Sequence, residues 1–347
     1  MNFDHTAAAK RANPFSLVDL QRRVVKYLRV SVTDRCNYRC TYCMPAEGAP
    51  VVPRRELLGF EEITRAVRIF VGLGISHVRM TGGEPMVRRG IVDLVQQIAS
   101  IDGVRDLAMT TNGHLLDRLA GDLRKAGLRR INVSLDSLDD KTFARITRQG
   151  RLDKVIDGLE AARAAGFEST KINAVVLRGV NDHEVSDLLR YCAENDLVLR
   201  FIEYMPIGLD DYWGPDSFVG APEIRARLGD AWHLRPVGER GVVGGGPATY
   251  VLADSSDGRY TGVKVGFISA LSHNFCRSCN RVRLSSTGTL RECLSTGGVL
   301  SLRDMMRNGD TDEHISGRIQ AALGGKVDGH RFAMTHRTRE AMSAIGG

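Results

Sequence analysis

The chain has no run approaching the ~20 consecutive apolar residues needed to cross a bilayer. Its first residues lack the apolar core of a secretory signal and carry Asp4 and Asp19, which also argues against a transit peptide. A soluble, cytoplasmic protein without membrane contact is expected. Nor is there a tract of Lys and Arg: the net charge of +7, from 48 Lys and Arg against 41 Asp and Glu, is spread along the sequence. A diffuse basic excess points to small anionic ligands rather than to nucleic acid. Cysteine is sparse, with three thiols near the N-terminus, three near the C-terminus and Cys192 alone. Disulfide pairing would leave one over, and a reducing cytosol would not keep the rest oxidised. Cys192 ends the apolar-periodic segment that starts at Val185, so it is expected to be a buried core thiol.

What is present is Cys36-Asn37-Tyr38-Arg39-Cys40-Thr41-Tyr42-Cys43, three thiols spaced by three and then two residues. An iron–sulfur cubane normally takes four thiolates, and only three are offered. A cluster with three protein ligands keeps one iron open, where a small molecule can complete the coordination and receive an electron directly. Structural zinc normally takes four ligands in paired spacing, and no fourth partner stands nearby.

At 347 residues, 43% of them hydrophobic, the chain can bury a large core. From Tyr27 a strand-like run and a helical pattern alternate. The predicted strands are Tyr27–Thr33, Ile75–Thr81, Asp106–Thr111, Arg130–Asp136, Ser169–Leu177 and Val198–Met205. The predicted helices are Glu61–Val71, Ile91–Ala99, Leu115–Lys125, Lys154–Ala165, His183–Ala193 and Ala221–Leu228. Six strand–helix units imply a parallel sheet with right-handed crossovers. Six are too few for a closed eightfold barrel, so the expected fold is α/β, an incomplete three-quarter barrel of the TIM type. Its span is 25–230, after a flexible segment 1–24 and before a C-terminal region 231–347.

Within the strands, Ile131, Val133 and Leu135 share one face while Asn132, Ser134 and Asp136 share the other. The same parity groups Arg29, Ser31 and Thr33, then His77, Arg79 and Thr81, then Lys171 and Asn173. Helices must cover the apolar faces, so the polar faces point into the lumen, in contrast to the aliphatic filling of an ordinary barrel. Buried cations need partners. Unless Asp136 and Glu203 neutralise Arg29, Arg79 and Lys171, the lumen should receive an anion, and closely placed positive charges suit a polyphosphate. Thr81-Gly82-Gly83-Glu84-Pro85 ends the second strand. Its glycines permit close backbone approach to a ligand and offer free N–H groups. Thr110-Thr111-Asn112-Gly113, Ser134 and Met205 end later strands.

After Leu228 the composition shifts. Gly238–Gly246 is a glycine-rich connection, and Thr261–Ile268 has the pattern of a further strand. Cys276-Arg277-Ser278-Cys279 and Cys293 form a second trio. Alone it suits zinc, with His273 as fourth ligand, as well as a cluster; its N-terminal companion favours a second cluster. Arg281 and Arg283 alternate on one face of an extended segment, able to clamp a phosphate or poise a base, or to form a solvated basic edge. From Leu302 the sequence is helix-rich and ends in Gly346-Gly347, a frayed end or a tail without side chains to obstruct entry into a pocket.

The three-thiol run with an aromatic before its last Cys resembles the radical S-adenosylmethionine (SAM) enzymes, which carry a GGE-type motif one strand later. Arg29–Cys36, Thr81–Pro85, Thr110–Gly113, Ile131–Asp136, Phe201–Met205 and Phe275–Arg283 together resemble the GTP 3′,8-cyclase family, over almost the whole chain after about residue 25. The resemblance implies a (βα)6 radical SAM core with a C-terminal extension carrying a second cluster. It implies two 4Fe-4S clusters, the first on Cys36, Cys40 and Cys43 and the second on Cys276, Cys279 and Cys293. It also implies SAM contacts at Tyr42, Gly83, Ser134 and Met205, and GTP contacts at Arg29, Arg79, Thr110, Lys171, Arg281 and Arg283. Gly346 and Gly347 are implied to enter the active site.

The implied activity is conversion of GTP to (8S)-3′,8-cyclo-7,8-dihydroguanosine 5′-triphosphate, the first step of molybdenum cofactor biosynthesis. Implied partners are a second copy in a homodimer, a reductant protein and the next pathway enzyme, cyclic pyranopterin monophosphate synthase. The alternatives are another radical SAM enzyme with an auxiliary cluster, such as one modifying a peptide, and a non-catalytic zinc or iron–sulfur protein that binds nucleic acid.

Overall fold

The computed structural model describes residues 16–209, 212–237, 246–330, 332, 338 and 340–345. The first half alternates as expected. It runs β1 (Tyr27–Ser31), α1 (Phe60–Gly72), β2 (His77–Thr81), α2 (Ile91–Ala99), β3 (Asp106–Thr111), α3 (Leu116–Lys125), β4 (Arg130–Ser134), α4 (Asp140–Thr147), α5 (Leu152–Ala164), β5 (Ser169–Val176), α6 (Val185–Glu194), β6 (Val198–Glu203) and α7 (Ala221–Leu228). The second half holds β7 (Trp232–Pro236), β8 (Thr249–Ser255), β9 (Val263–Ile268), β10 (Arg281–Leu284), β11 (Thr289–Arg291), β12 (Leu300–Ser301), α8 (Leu302–Arg307), α9 (Asp312–Leu323) and α10 (Met342–Ile345).

Local chemistry accounts for these elements. In α1, Ile63, Ala66, Val67 and Phe70 recur at helical spacing and are buried. Its start is fixed where the Gly59 N–H donates to Glu62 Oε2 at 2.7 Å. Leu28, Val30, Ile131, Val133, Ile172, Ala174, Leu199 and Phe201 occupy alternate strand positions and are buried beneath the helices. Burial of each such large side chain stabilises by about 1.5–3 kcal/mol, so packing, more than helix propensity, holds the layers. Cys192 is completely buried in this core.

The sheet is open and twelve-stranded, in the order β12-β11-β10-β1-β2-β3-β4-β5-β6-β9-β8-β7. Neighbours from β1 to β6 are all parallel, the partial barrel expected from the sequence. The boundary at 230 does not separate two sheets. β9 pairs parallel with β6, and β10 pairs parallel with β1, so the C-terminal region extends both margins of the core. The predicted strands overran: Thr33, Asp136 and Met205 lie beyond the strand ends, in the loops that follow. Residues 16–24 were expected to be flexible, yet Leu17 is buried, Asp19 pairs with Arg23 at 2.5 Å, and the Leu17 N–H donates to Leu73 O at 3.1 Å. Among the described residues no helix is long and apolar enough to cross a membrane.

Candidate active site

A cavity of about 660 Å³ opens on the polar face of the sheet, within the ~300–1,000 Å³ usual for small-molecule sites. Its wall includes Cys36, Cys40 and Cys43 from the loop after β1 and Cys276, Cys279 and Cys293 from the segments around β10 and β11. Both trios therefore face one space.

The first loop is held from below by the C-terminus of α4. The Arg39 N–H donates to Thr147 O at 3.0 Å and the Thr41 N–H to Ile146 O at 2.9 Å. Arg148, at φ 60°, turns its guanidinium to Arg39 O and Met44 O. The Arg39 side chain donates to Cys36 O at 2.7 Å and Tyr38 O at 2.9 Å. Cys36 Sγ accepts from the Tyr38 N–H at 3.4 Å. Burial pushes the Cys36 thiol up to about 11 and Cys40 well above its ordinary value. A metal that binds thiolate reverses that preference.

The Gly82-Gly83 turn was expected to offer free N–H groups to a ligand, and the structure corrects this for Gly83. The Gly83 N–H donates to Thr33 O and the Glu84 N–H to Arg35 O, both at 2.8 Å. A Cβ on Gly83 would stand 2.2 Å from Arg35 O, so the close approach is to the cysteine loop itself. Gly83 still lines the cavity. Glu84 next to it is buried and accepts from Thr111 Oγ1 at 2.8 Å and the Asn112 N–H at 2.7 Å. Burial raises its carboxyl to about 7 against those bonds. Asn112 Nδ2 donates in turn to Asn37 Oδ1 at 2.8 Å. Glu84 thus ties the β2 and β3 loops to the first trio.

Tyr42, Ser134 and Met205 line the cavity as well. The Tyr42 hydroxyl donates to Asp136 Oδ2 at 2.7 Å, and Asp136 Oδ1 accepts from the Val175 N–H at 2.8 Å. Burial lifts Asp136 to about 6. Glu203 is committed to the Ala221, Leu271 and Ser272 N–H groups. Between them the two carboxylates thus accept from a tyrosine hydroxyl and from backbone N–H groups.

Those cations stand in register. Arg283, Arg29 and Arg79 form one row across β10, β1 and β2, on backbones about 4.8 Å apart. In a second row, Thr110, Asn132 and Lys171 cross β3, β4 and β5. Arg79 Nε donates to the Tyr27 hydroxyl and Nη1 reaches Thr110 Oγ1 at 3.4 Å. Burial, then Arg283 and Arg79, holds Arg29 well below the ordinary guanidinium range. Burial, then Arg200 and Arg130, brings Lys171 down to about 7. Sequence reasoning missed Arg200, which is 7% exposed and whose Nε has no hydrogen-bond partner. It was findable, because Leu199 and Phe201 mark the opposite parity on β6.

At the far end, Arg283 is buried and Arg281 lies over the Phe275 ring at 5.4 Å, so the basic-edge alternative fails for this strand. Burial raises Cys276. It opposes ionisation of Cys279 too, but Lys326 and Arg281 outweigh it and leave Cys279 below its ordinary value. His273 is exposed and off the cavity wall, whereas His330 lines it and its ring is bonded to Ala270 O at 2.6 Å. Among the described residues no group of three His, Cys, Asp or Glu is arranged to hold a single metal ion. Each trio brings three thiols to the cavity wall. Gly346 and Gly347 lie outside the described residues, as does most of Gly238–Gly246.

Comparison with known proteins agrees with this geometry. The Radical SAM superfamily model matches residues 30–192 and the Molybdenum Cofactor Synthesis C model residues 197–332. The chain is 46% identical over 330 residues to a GTP 3′,8-cyclase of Paracoccus denitrificans, covering 92% of this chain and 91% of that one. It is 44% identical over 334 residues to one from Heliobacterium modesticaldum, covering 95% and 100%. Among solved structures, Streptococcus suis SuiB bound to S-adenosylmethionine aligns with a TM-score of 0.56 at 15% identity, over 89% of this chain and 74% of that chain, a likeness of fold alone.

Proposed function

The chain belongs to the GTP 3′,8-cyclase family of radical SAM enzymes, and from that premise we propose that its cavity holds SAM at one end and GTP at the other. The enzyme converts GTP to (8S)-3′,8-cyclo-7,8-dihydroguanosine 5′-triphosphate, the first step of molybdenum cofactor biosynthesis, and uses SAM and an iron–sulfur cluster. The observation that carries the two-ended reading is that one cavity is walled by both cysteine trios and by the arginine row.

Cys36, Cys40 and Cys43 hold the first cluster, and Tyr42, Gly83, Ser134 and Met205 surround SAM. A cluster bound there would supply the electron that splits SAM into methionine and a deoxyadenosyl radical able to take hydrogen from C3′ of GTP, and closure onto C8 would need one further electron and proton from the reductant and solvent. Arg29, Arg79, Lys171, Arg281 and Arg283, with Thr110, hold the triphosphate and orient the base; Arg200 joins them. A triphosphate's charge is complementary to this cluster of guanidinium and ammonium groups. Cys276, Cys279 and Cys293 hold a second cluster beside the guanine. Gly346 and Gly347 follow closely on Met342 and Ser343, which line the cavity, and carry no side chain to block entry. The protein's own contribution is to orient two reactants and exclude water. A homodimer, a reductant protein and hand-over to cyclic pyranopterin monophosphate synthase complete the proposal.

The test is anaerobic reconstitution with SAM, GTP and a reductant. The expected yield is 5′-deoxyadenosine formed in step with a chromatographically distinct isomer of GTP. Turnover with a peptide instead of GTP would favour the peptide-modifying alternative, and no 5′-deoxyadenosine at all a non-catalytic protein.

The Lys171 environment adds a pH dependence. In the free cavity its amine titrates near 7, so above that pH it is largely neutral. A bound triphosphate favours the ammonium and raises the value again. Binding at pH 8 therefore takes up a proton at Lys171, and affinity falls as pH rises through the window above 7. Calorimetry in two buffers of different ionisation enthalpy should show this uptake in the native enzyme and its loss in Lys171→Met. Equal heats in both buffers would refute it.

A further inference from the structure

Beside the second trio and off the cavity wall lie two buried cations that donate to several backbone carbonyls. Arg23 is 8% exposed and Lys326 3% exposed. Arg23 Nη1 donates to Cys276 O at 2.8 Å, while Nη2 donates to Val327 O at 2.7 Å, Gln21 Oε1 at 3.0 Å and Lys326 O at 3.3 Å. Its Nε donates to Asp19 Oδ2 at 2.5 Å, and the same carboxylate accepts the Arg23 N–H at 2.9 Å. Lys326 Nζ donates to Arg281 O at 3.1 Å and to Glu292 O. Arg281 lies two residues after Cys279, and Glu292 immediately precedes Cys293.

We propose that Arg23 and Lys326 are positioning residues, a buried brace that fixes all three thiol-bearing segments of the second trio and so sets a bound cluster over the cavity. Arg23 anchors the Cys276 turn, and Lys326 joins the Cys279 side to the Cys293 side. Arg281 opens β10 and Glu292 follows β11, strands joined by antiparallel pairing, and Lys326 ties that pair together at the end that carries Cys279 and Cys293. The geometry also explains why residues 16–24 are packed: Asp19 aims the guanidinium, whose fork matches several carbonyls at once. Carbonyl oxygens turned toward the cations orient the loops from behind, as outer-shell partners orient metal ligands. Two positive charges close to a thiolate-bound cluster also favour its reduced, more negative form.

This proposal rests on the reading that the second trio binds a cluster, and the experiment separates the two. Native enzyme, Cys276→Ser, Arg23→Gln and Lys326→Met are reconstituted anaerobically. Iron is counted, and each cluster is followed by electron paramagnetic resonance, the first being identified by its response to SAM. Native enzyme holding about eight irons, falling to about four in Cys276→Ser, supports two cubanes. About four in both proteins overturns the cluster reading itself.

Given two clusters, Arg23→Gln is expected to lose the second signal while the first keeps its SAM response. Lys326→Met is expected to bind the second cluster at least ~10-fold more weakly or to shift its midpoint potential to more negative values, with Lys326→Arg restoring the native behaviour. Variants that keep both signals and potentials unchanged overturn the brace. So does loss of both clusters together, because that marks a general fold support.

Discussion

A Cys276→Ser enzyme is expected to bind and cleave SAM much as the native enzyme does while forming cyclised nucleotide at least ~10³-fold more slowly. The first trio is held by Arg39, by the end of α4 and by the Glu84 network, none of which touches Cys276. The second trio lines the same cavity. Orientation of two bound reactants can supply about 7–11 kcal/mol of a barrier. Losing even about 4 kcal/mol of it corresponds to ~10³-fold in rate. The measurement is the ratio of cyclised product to 5′-deoxyadenosine under reducing, anaerobic conditions. Retention of product at the native ratio would remove the second trio from the reaction.

The other large effect is structural in origin. Gly83→Ala places a methyl 2.2 Å from Arg35 O and 2.5 Å from its carbonyl carbon. Backbone cannot swing aside as a flexible side chain can, so the loop carrying the first trio must move. The Gly83 to Thr33 and Glu84 to Arg35 hydrogen bonds break with it. Overpacking and two lost bonds together cost about 3 kcal/mol. The expected result is a less stable protein that loses iron from the first trio and no longer cleaves SAM, while iron at the second trio persists. Full iron content and native SAM cleavage in this variant would show that the turn tolerates a side chain.

Much of this was readable before any coordinates, and the failures have identifiable causes. Alternation of Ile131, Val133 and Leu135 against Asn132 and Ser134 revealed which face of β4 is polar, because strand parity is a local property. Helix α4 escaped notice. It is only eight residues long, although Asp139 capping the Thr142 N–H at 2.8 Å and the Phe143, Ile146, Thr147 stripe both left marks in the sequence. The packing of Gly83 against Arg35 could not be read because Arg35 lies 48 positions earlier, and packing across that distance leaves no spacing pattern. His273 attracted attention by nearness to Cys276, yet the histidines on the cavity wall are His77 and His330. The pairing of β10 with β1 joins positions about 250 apart, so the in-register row of Arg283, Arg29 and Arg79 existed in the sequence only as three unrelated arginines.

Because β9 and β10 grip opposite margins of the parallel core, neither half of this protein is a detachable module. A truncation near residue 230 would uncover two unpaired strand edges at once, along β1 and β6, and invite association through both. Exchange of the second half for that of a relative must match two distant seams simultaneously. The two halves are therefore constrained to be inherited as a single unit.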